Sequence, residues 1–266
     1  MLKKEANPLN PMPAQKLTVA ILTKNNADSI NRAIASVSWA DEVILIDAST
    51  DETVILVEKL VPAKKLRVIR LAEEHDFAKL RNRALELAKY KWVLYLDADE
   101  EVSQNLKQEI ETAIKDQETQ GYSLSRQDFF LGRWLKFGET QNLLLLKLGR
   151  KNSGKWERRV HEVWRINGAV KTLKNPLLHY PHPTVGEFVA RINRWTSLDA
   201  AEFYDSGGRS TFAKIIAYPA GKFLRNYFIK QGFRDGMPGL IFAVFMSFHS
   251  FLTRAKLYML HQPGEQ

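Results

Sequence analysis

The sequence predicts an α/β fold in which a mostly parallel sheet carries helices on both faces, followed by a C-terminal helical, amphipathic extension. Three observations predict it. Short apolar, β-branched runs alternate with helix-periodic segments four times in the first hundred residues, the pattern that builds parallel sheets through helical crossovers. Two of those runs stop abruptly at acidic residues. The last fifth of the chain is apolar and basic with no strand signal.

Each element has its own justification. Residues 1–16 carry Lys3 and Lys4 with no apolar stretch behind them, and Pro8, Pro11 and Pro13 interrupt regular structure, so a disordered tail rather than a signal peptide is expected. Leu17 to Thr23 (LTVAILT) reads as a buried first strand. Asp28 or Ser29 can cap a helix with Ile30, Ala33, Ile34 and Val37 at helical spacing. Glu42 to Ile46 is a second strand that stops in the polar turn DASTD, Thr53 to Leu60 is helical, and Leu66 to Ile69 is a third strand. From Phe77 to Ala88, the residues Phe77, Leu80, Ala84, Leu85 and Ala88 form one stripe. Trp92 to Leu96 (WVLYL) is a continuous apolar strand ending in Asp97, Ala98, Asp99, Glu100 and Glu101.

A polar helix follows Ser103 to about Lys115, and Gly121 to Arg126 and Asn142 to Leu148 read as strands. Lys155 to His182, rich in Trp, Arg, His and Glu, is expected to be irregular. Long helical patterns run from Thr184 to Tyr204, Thr211 to Gln231 and Pro238 to Leu260, with glycine-rich breaks between them.

Composition narrows the function classes. At 266 residues and 45% apolar content the chain can bury a substantial core. With no cysteine, a disulfide framework, an iron–sulfur cluster and a thiol nucleophile are excluded, which fits a reducing, cytoplasmic address. Net charge is +9, and between Ser206 and Gln262 eight basic residues face one acid, Asp235. No nucleic-acid recognition motif accompanies that charge, so nucleic acid is not expected as a partner. Gly239 to Leu252 is apolar over fourteen residues. A helix of that length reaches only about 21 Å, short of the roughly 30 Å hydrocarbon core, so it is expected to pack or to lie in the plane of an anionic surface rather than cross a bilayer.

The chemistry belongs at the strand ends. In open α/β sheets ligands bind outside the carboxyl ends of the strands. Asp47 and Asp51 follow the second strand, and Asp97 and Asp99 the fourth. Two carboxylates one residue apart on an extended segment can reach a hard divalent cation, Mg²⁺ or Mn²⁺, that also takes substrate phosphates. A lone Asp-x-Asp is common on solvated loops; its place directly after WVLYL gives it meaning.

The blocks LTVAILTKNN, EVILIDASTDET and FAKLRNRALELAKYKWVLYLDADEE, in this order and spacing, resemble the family 2 glycosyltransferases of GT-A fold. Within that family the chain is similar to the lipopolysaccharide core β-glucosyltransferases of the WaaE type, a likeness extended by LHYPHPTVGEF and FIKQGFRDGMPGLIFAVFMSFHSFLTRAKLYML. Many members carry two adjacent acids and a glycine at the second-strand turn, where this chain has Ile46, Asp47 and Ala48. The resemblance implies a UDP-sugar donor. Asp47 would accept a hydrogen bond from the base, and Arg81 would contact the base or diphosphate. Asp97 would hold the ribose or a metal-bound water, and Asp99 would bind the metal, with His179 as a downstream metal ligand; His182 shares that segment. Thr23, Lys24, Asn25 and Asp51 are assigned to the nucleotide pocket.

Inversion needs a base near the acceptor hydroxyl. WERRVHEVW offers Glu162, with Glu157 in reserve and His161 beside them; either glutamate could instead pair with Arg158 or Arg159. The expected activity is transfer of a sugar, glucose, to a lipid-linked saccharide such as lipopolysaccharide core, at the inner face of the cytoplasmic membrane. Transfer to polyprenyl phosphate and a non-catalytic membrane scaffold are the alternatives. A nucleotidyltransferase is disfavoured, since Thr23-Lys24-Asn25-Asn26 replaces the glycine-rich loop it needs. The division expected is a tail over 1–16, a catalytic domain over 17–183 and a helical, membrane-associating region over 184–266.

Overall fold

In the computed structural model, residues 15–71, 76–141, 143–158, 162–181 and 184–262 are described; most of the expected tail, and His161 and His182, lie outside them. Strand β1 (Leu17–Thr23) is central to the first half of the sheet. Helix α1 (Ile30–Ser36) leads to β2 (Glu42–Asp47), α2 (Thr53–Leu60) to β3 (Leu66–Arg70), and α3 (Phe77–Leu87) to β4 (Trp92–Asp97). These four strands pair in parallel in the order β3-β2-β1-β4. Strand alternation explains the two layers. Val19, Ile21, Val43, Leu45 and Leu94 point to the face covered by α1, α2 and α4 (Gln104–Ala113). Ala20, Ile44, Ile46, Val93 and Tyr95 point to the other, covered by α3.

Ser103 caps α4, its hydroxyl accepting from Leu106 N at 3.2 Å, whereas Ser29, one of the two caps expected for α1, makes no capping side-chain bond. Between β4 and α4 lies the short β5 (Glu100–Glu101).

Beyond β4 the sheet is mixed. Strand β6 (Gly121–Phe130) forms a hairpin with β7 (Arg133–Trp134), and β8 (Leu144–Arg150) pairs antiparallel with both β4 and β6. The stretch expected to be irregular holds four short strands: β9 (Gly154–Glu157), β10 (Val163–Ile166), β11 (Val170–Thr172) and β12 (Leu177–His179). Each has three or four residues, too few for an alternation to be read. β9 and β10 form a hairpin whose Trp156 and Trp164 stack at 5.4 Å and pack edge-on against Tyr95. β12 joins β6 in parallel and β5 antiparallel.

Three helices close the chain, α5 (Val185–Asp205), α6 (Phe212–Leu224) and α7 (Gly236–Met259), with a wide turn at Arg225–Ile229 continuing α6. Phe188 and Ile192 of α5 and Phe242 of α7 share a third core with Phe130 and Leu135. The last helix runs close to the Pro238 to Leu260 pattern expected, so the reach of about 21 Å read from its fourteen-residue apolar run understates its length. At 24 residues α7 extends about 36 Å, and Gly232–Met259 is long and apolar enough to cross a membrane by length and composition. Arg254 stacks on Phe203 and Tyr218 and Lys256 reaches Asn193 and Thr196, so the last turns of α7 are tied to α5 and α6.

Candidate active site

Parallel register brings the carboxyl ends of three strands level, with Thr23 opposite Asp47 and Leu22 opposite Asp97. A cavity of about 550 Å³ opens above them. Thr23, Lys24, Asp47, Arg81, Asp97, Asp99, Glu162 and His179 all line it, so eight side chains singled out from sequence come together.

Asn25 and Asp51 do not reach the lining. Asn25 adopts φ 53°, which Asn tolerates, and its Oδ1 accepts from Thr50 N at 2.8 Å. Asp51 accepts from Thr53 N at 3.0 Å and Ala27 N at 3.3 Å, and the Thr53 hydroxyl bond holds its carboxyl below the ordinary range. Both side chains tie the β1 and β2 loops to each other, while Asn26 takes a place in the cavity wall. Glu157 pairs with Arg165 at 3.5 Å and is likewise absent from the lining.

Asp47 is buried. Its Oδ1 accepts from Ser49 N at 3.1 Å, whereas Oδ2 has no hydrogen-bond partner among the described residues, with the Arg70 guanidinium 3.9 Å away. A buried acceptor left open in this way costs stability unless a ligand donates to it.

Arg81 is the hub of the opposite wall. Its Nε donates to Glu162 Oε1 at 2.8 Å and its Nη2 to Asp97 Oδ1 at 3.1 Å, while Nη1 is buried without a partner among the described residues. Burial lowers the Arg81 pKa, but Asp97 and Glu162 outweigh it and the net shift is upward. Tyr95 donates its hydroxyl to Arg81 O at 2.7 Å, and Asn82 exchanges two 2.9 Å hydrogen bonds with the Trp156 backbone. Helix α3 thus carries the β9–β10 hairpin, which is how Glu162 arrives beside a residue 81 positions earlier. Of the pairings weighed from sequence, Arg159 lies outside the described residues; the partner that Glu162 shows is Arg81.

Sequence reasoning missed Lys147. Its buried ammonium donates to Asp97 Oδ2 at 2.6 Å and to both Glu100 oxygens at 2.7 and 2.9 Å. Burial raises the Asp97 pKa, but Lys147 and then Arg81 drive it well below the carboxylate range. Glu100, fully buried, is pushed up, first by burial and then by Asp97. The signal available was a lysine inside the apolar run LLLLKLG.

Pairing of β5 with β12 sets His179 beside Asp99. His179 Nε2 lies 3.5 Å from Asp99 Oδ1, and Nδ1 lies 2.8 Å from Asp128 Oδ1. Burial pulls His179 down, yet the bonds to Asp128 and Asp99 raise it to about 9. Burial raises Asp99, but His179 leads the interactions that lower it to about 2. Arg191 of α5, also unforeseen, donates to Asp99 Oδ2 at 3.1 Å.

Among the described residues no three His, Cys, Asp or Glu side chains form a ready-made metal cluster. The donor set still fits a cation that substrate phosphates complete, which needs only one or two carboxylates from the protein. Asp99 supplies one, and His179, backed by the Asp128 carboxylate, has the second-sphere support that metal-bound imidazoles require. His179 would release its proton on binding. Asp97 accepts from Arg81 and Lys147 and still lines the cavity.

Comparison with known proteins adds three findings. Residues 18–171 match the model of Glycosyl transferase family 2. The lipopolysaccharide core biosynthesis glycosyltransferase LpsC of Rhizobium meliloti (strain 1021) is 28% identical over 255 residues, covering 94% of each chain. An uncharacterized glycosyltransferase of Rickettsia conorii is 25% identical, covering 94% of this chain and 92% of its own. Among solved structures, S. aureus TarS 1–349 in complex with UDP-GlcNAc is similar at TM-score 0.51 and 18% identity, over 92% of this chain and 89% of that one. Mannosyltransferase PcManGT from Pyrobaculum calidifontis, in complex with GDP-Man and Mn²⁺, is similar at TM-score 0.53 and 15% identity, over 97% and 92%. These two likenesses bear on fold alone. With strands, acid motif and family model in agreement over the same segment, the chain belongs to glycosyl transferase family 2, GT-A in fold and related to a lipopolysaccharide core enzyme.

Proposed function

We propose that this glycosyltransferase is an inverting, metal-dependent hexosyltransferase that moves a sugar, glucose, from a UDP-sugar to a lipid-linked saccharide such as lipopolysaccharide core. In this reading residues 17–183 form the catalytic domain and residues 184–266 a helical region that keeps the enzyme peripheral on the inner face of the cytoplasmic membrane. The observation that carries it is the open Oδ2 of buried Asp47 beside Asp97 and Asp99 in one cavity. That oxygen suits an N–H of a nucleotide base. The relative LpsC supports the acceptor class.

Asp99 and His179 would hold the divalent cation, and Thr23, Lys24 and Asn26 face the nucleotide. The cation, when bound, stabilises negative charge on the departing diphosphate. The acceptor hydroxyl attacks the anomeric carbon as the bond to the phosphate oxygen breaks. Glu162 takes the hydroxyl proton. Arg81 grips both Glu162 and Asp97, so the base and the acid motif keep a fixed separation.

Calorimetry with UDP and Mn²⁺ tests the donor half: micromolar binding that Asp99→Ala abolishes is expected, and metal-independent or absent binding rejects it. Transfer of labelled glucose to rough lipopolysaccharide, with a β linkage by NMR, tests the rest. Label found in polyprenyl lipid instead would redirect the acceptor.

A further inference from the structure

Helix α6 buries none of its thirteen residues, although most of them are apolar. Phe212, Ile216, Ala220, Leu224 and Phe228 follow one another at a spacing of four, which lines them in a row along the helix, and all five are exposed. Phe212 is 79% exposed, and the row runs on into Ile229, 76% exposed, and Met237. A helix of this composition held against water on one side gains nothing from its apolar residues unless that side meets an apolar medium.

The charges around the row say which medium. The single acid between Ser206 and Gln262, Asp235, is buried and accepts from Lys136 N and Phe137 N at 3.0 and 2.9 Å. The outer surface of the α6–α7 hairpin therefore presents cations alone, Arg209, Arg225 and Arg234 among the exposed ones. The acids of this region, Glu187, Asp199, Glu202 and Asp205, all belong to α5. Against those four acids α5 also carries Arg191 and Arg194, so it keeps a small negative excess while the hairpin is positive.

Helix α7 has the length of a membrane span and leaves Val244, Phe248 and Phe251 exposed on one side, but its other sides are held by α5 and α6. Its Phe242 and Phe245 pack on Phe188 of α5, Lys256 binds Asn193 and Thr196 of α5, and Ser247 donates to Pro219 O of α6 at 2.8 Å. Withdrawing α7 into a bilayer would open the third core.

We propose that α6 is the membrane-seating element. Its exposed row lies in the plane of an anionic phospholipid surface, at the level where acyl chains meet headgroups, with the hairpin cations against lipid phosphates and α7 kept as an inner helix that does not cross. This deepens the peripheral placement given above and rests on it.

The test uses the full chain with vesicles of phosphatidylethanolamine and phosphatidylglycerol, against vesicles of phosphatidylcholine alone. Wild type is expected to sediment with the anionic vesicles and to be released by high salt or alkaline carbonate. Retention after carbonate would mean that α7 spans, and would overturn the proposal. Ile216→Asp with Leu224→Asp should weaken binding at least about tenfold, with helix content by circular dichroism and UDP–Mn²⁺ binding unchanged. Wild-type vesicle affinity in that variant also overturns it. Because the chain has no cysteine, a polarity-sensitive dye at Leu224→Cys or at Glu202→Cys reports each helix separately: a blue shift is expected for the first and none for the second, and the reverse refutes the orientation. Should the row instead seat a second copy of the chain, sedimentation velocity without lipid would give a dimer that the Asp variant splits, with vesicle binding intact. Absence of UDP–Mn²⁺ binding in wild type would reject the UDP-donor reading and leave the vesicle result standing on its own.

Discussion

Lys147 is in contact with three carboxylate oxygens of Asp97 and Glu100. Removing one member of a buried ionic group leaves the others uncompensated, which costs about 3–5 kcal/mol, more than the intact group contributes over an apolar substitute. Lys147→Met should therefore lower unfolding free energy in urea by about that amount, and Lys147→Met with Glu100→Gln should recover part of it. Glu162 predicts a different signature. Glu162→Gln keeps size and hydrogen bonding to Arg81 but cannot take a proton, so turnover should fall by about 10² to 10⁴ while UDP–Mn²⁺ affinity in calorimetry stays within a few-fold. Unchanged turnover removes Glu162 from the role. The acids at strand ends were legible because strand termini in an α/β sheet converge on one crevice. Lys147 was not, since its partners lie about fifty positions earlier, and a lysine in a strand looks the same in sequence whether it faces solvent or a buried acid. Asn25 and Asp51 show the converse: they share the right turns, but their side chains bond the neighbouring loop backbone instead of the cavity.

At the scale of elements, the four opening strands were readable because each is long, apolar and followed by a helix with a clear stripe. Strands β9 to β12 carry no such pattern, and their pairing depends on partners distant in sequence, as when β12 finds β6 and β5. The same distant pairing builds the seam between the sheet and the helical hairpin. Asp235 accepts from two backbone N–H groups, and Glu139 receives Lys222 at 2.8 Å, Lys230 through its carbonyl, and Asn226. Asp235→Ala removes the acceptor of two part-buried backbone donors at about 1 kcal/mol each, a loss visible as a lower midpoint of thermal unfolding. Burial raises the Glu139 pKa, but Lys222 and Asn226 outweigh it and the net shift is down. A depressed carboxyl contributes its full stabilisation above the ordinary glutamate range and loses it as pH falls through the folded value. Glu139→Gln should therefore narrow the stability gap between neutral and acidic solution relative to wild type.

For the molecule as a whole, the boundary drawn at residue 184 divides sequence patterns more cleanly than it divides the protein. Arg191 of α5 binds Asp99, and Met246 and His249 of α7 line the cavity with Asp47 and Asp97. Phe242 fills the third core against Phe130, which belongs to the sheet. Periodicity identified these helices as amphipathic but could not say which face meets the catalytic half, since apolar residues occur on more than one side of α7. The consequence is a prediction about truncation. If the helical region were a tether alone, deleting residues 236–266 would release the chain from vesicles and leave the donor site intact. The shared core and cavity wall argue otherwise: the truncated chain should lose UDP–Mn²⁺ affinity and melt at a lower temperature, because Phe130 and Phe188 lose an apolar partner worth several kcal/mol, while α6 remains to meet the vesicle. Calorimetry and thermal unfolding on the truncated and full chains measure both quantities. A truncated chain that binds donor as well as wild type would show that α7 takes no part in the donor site.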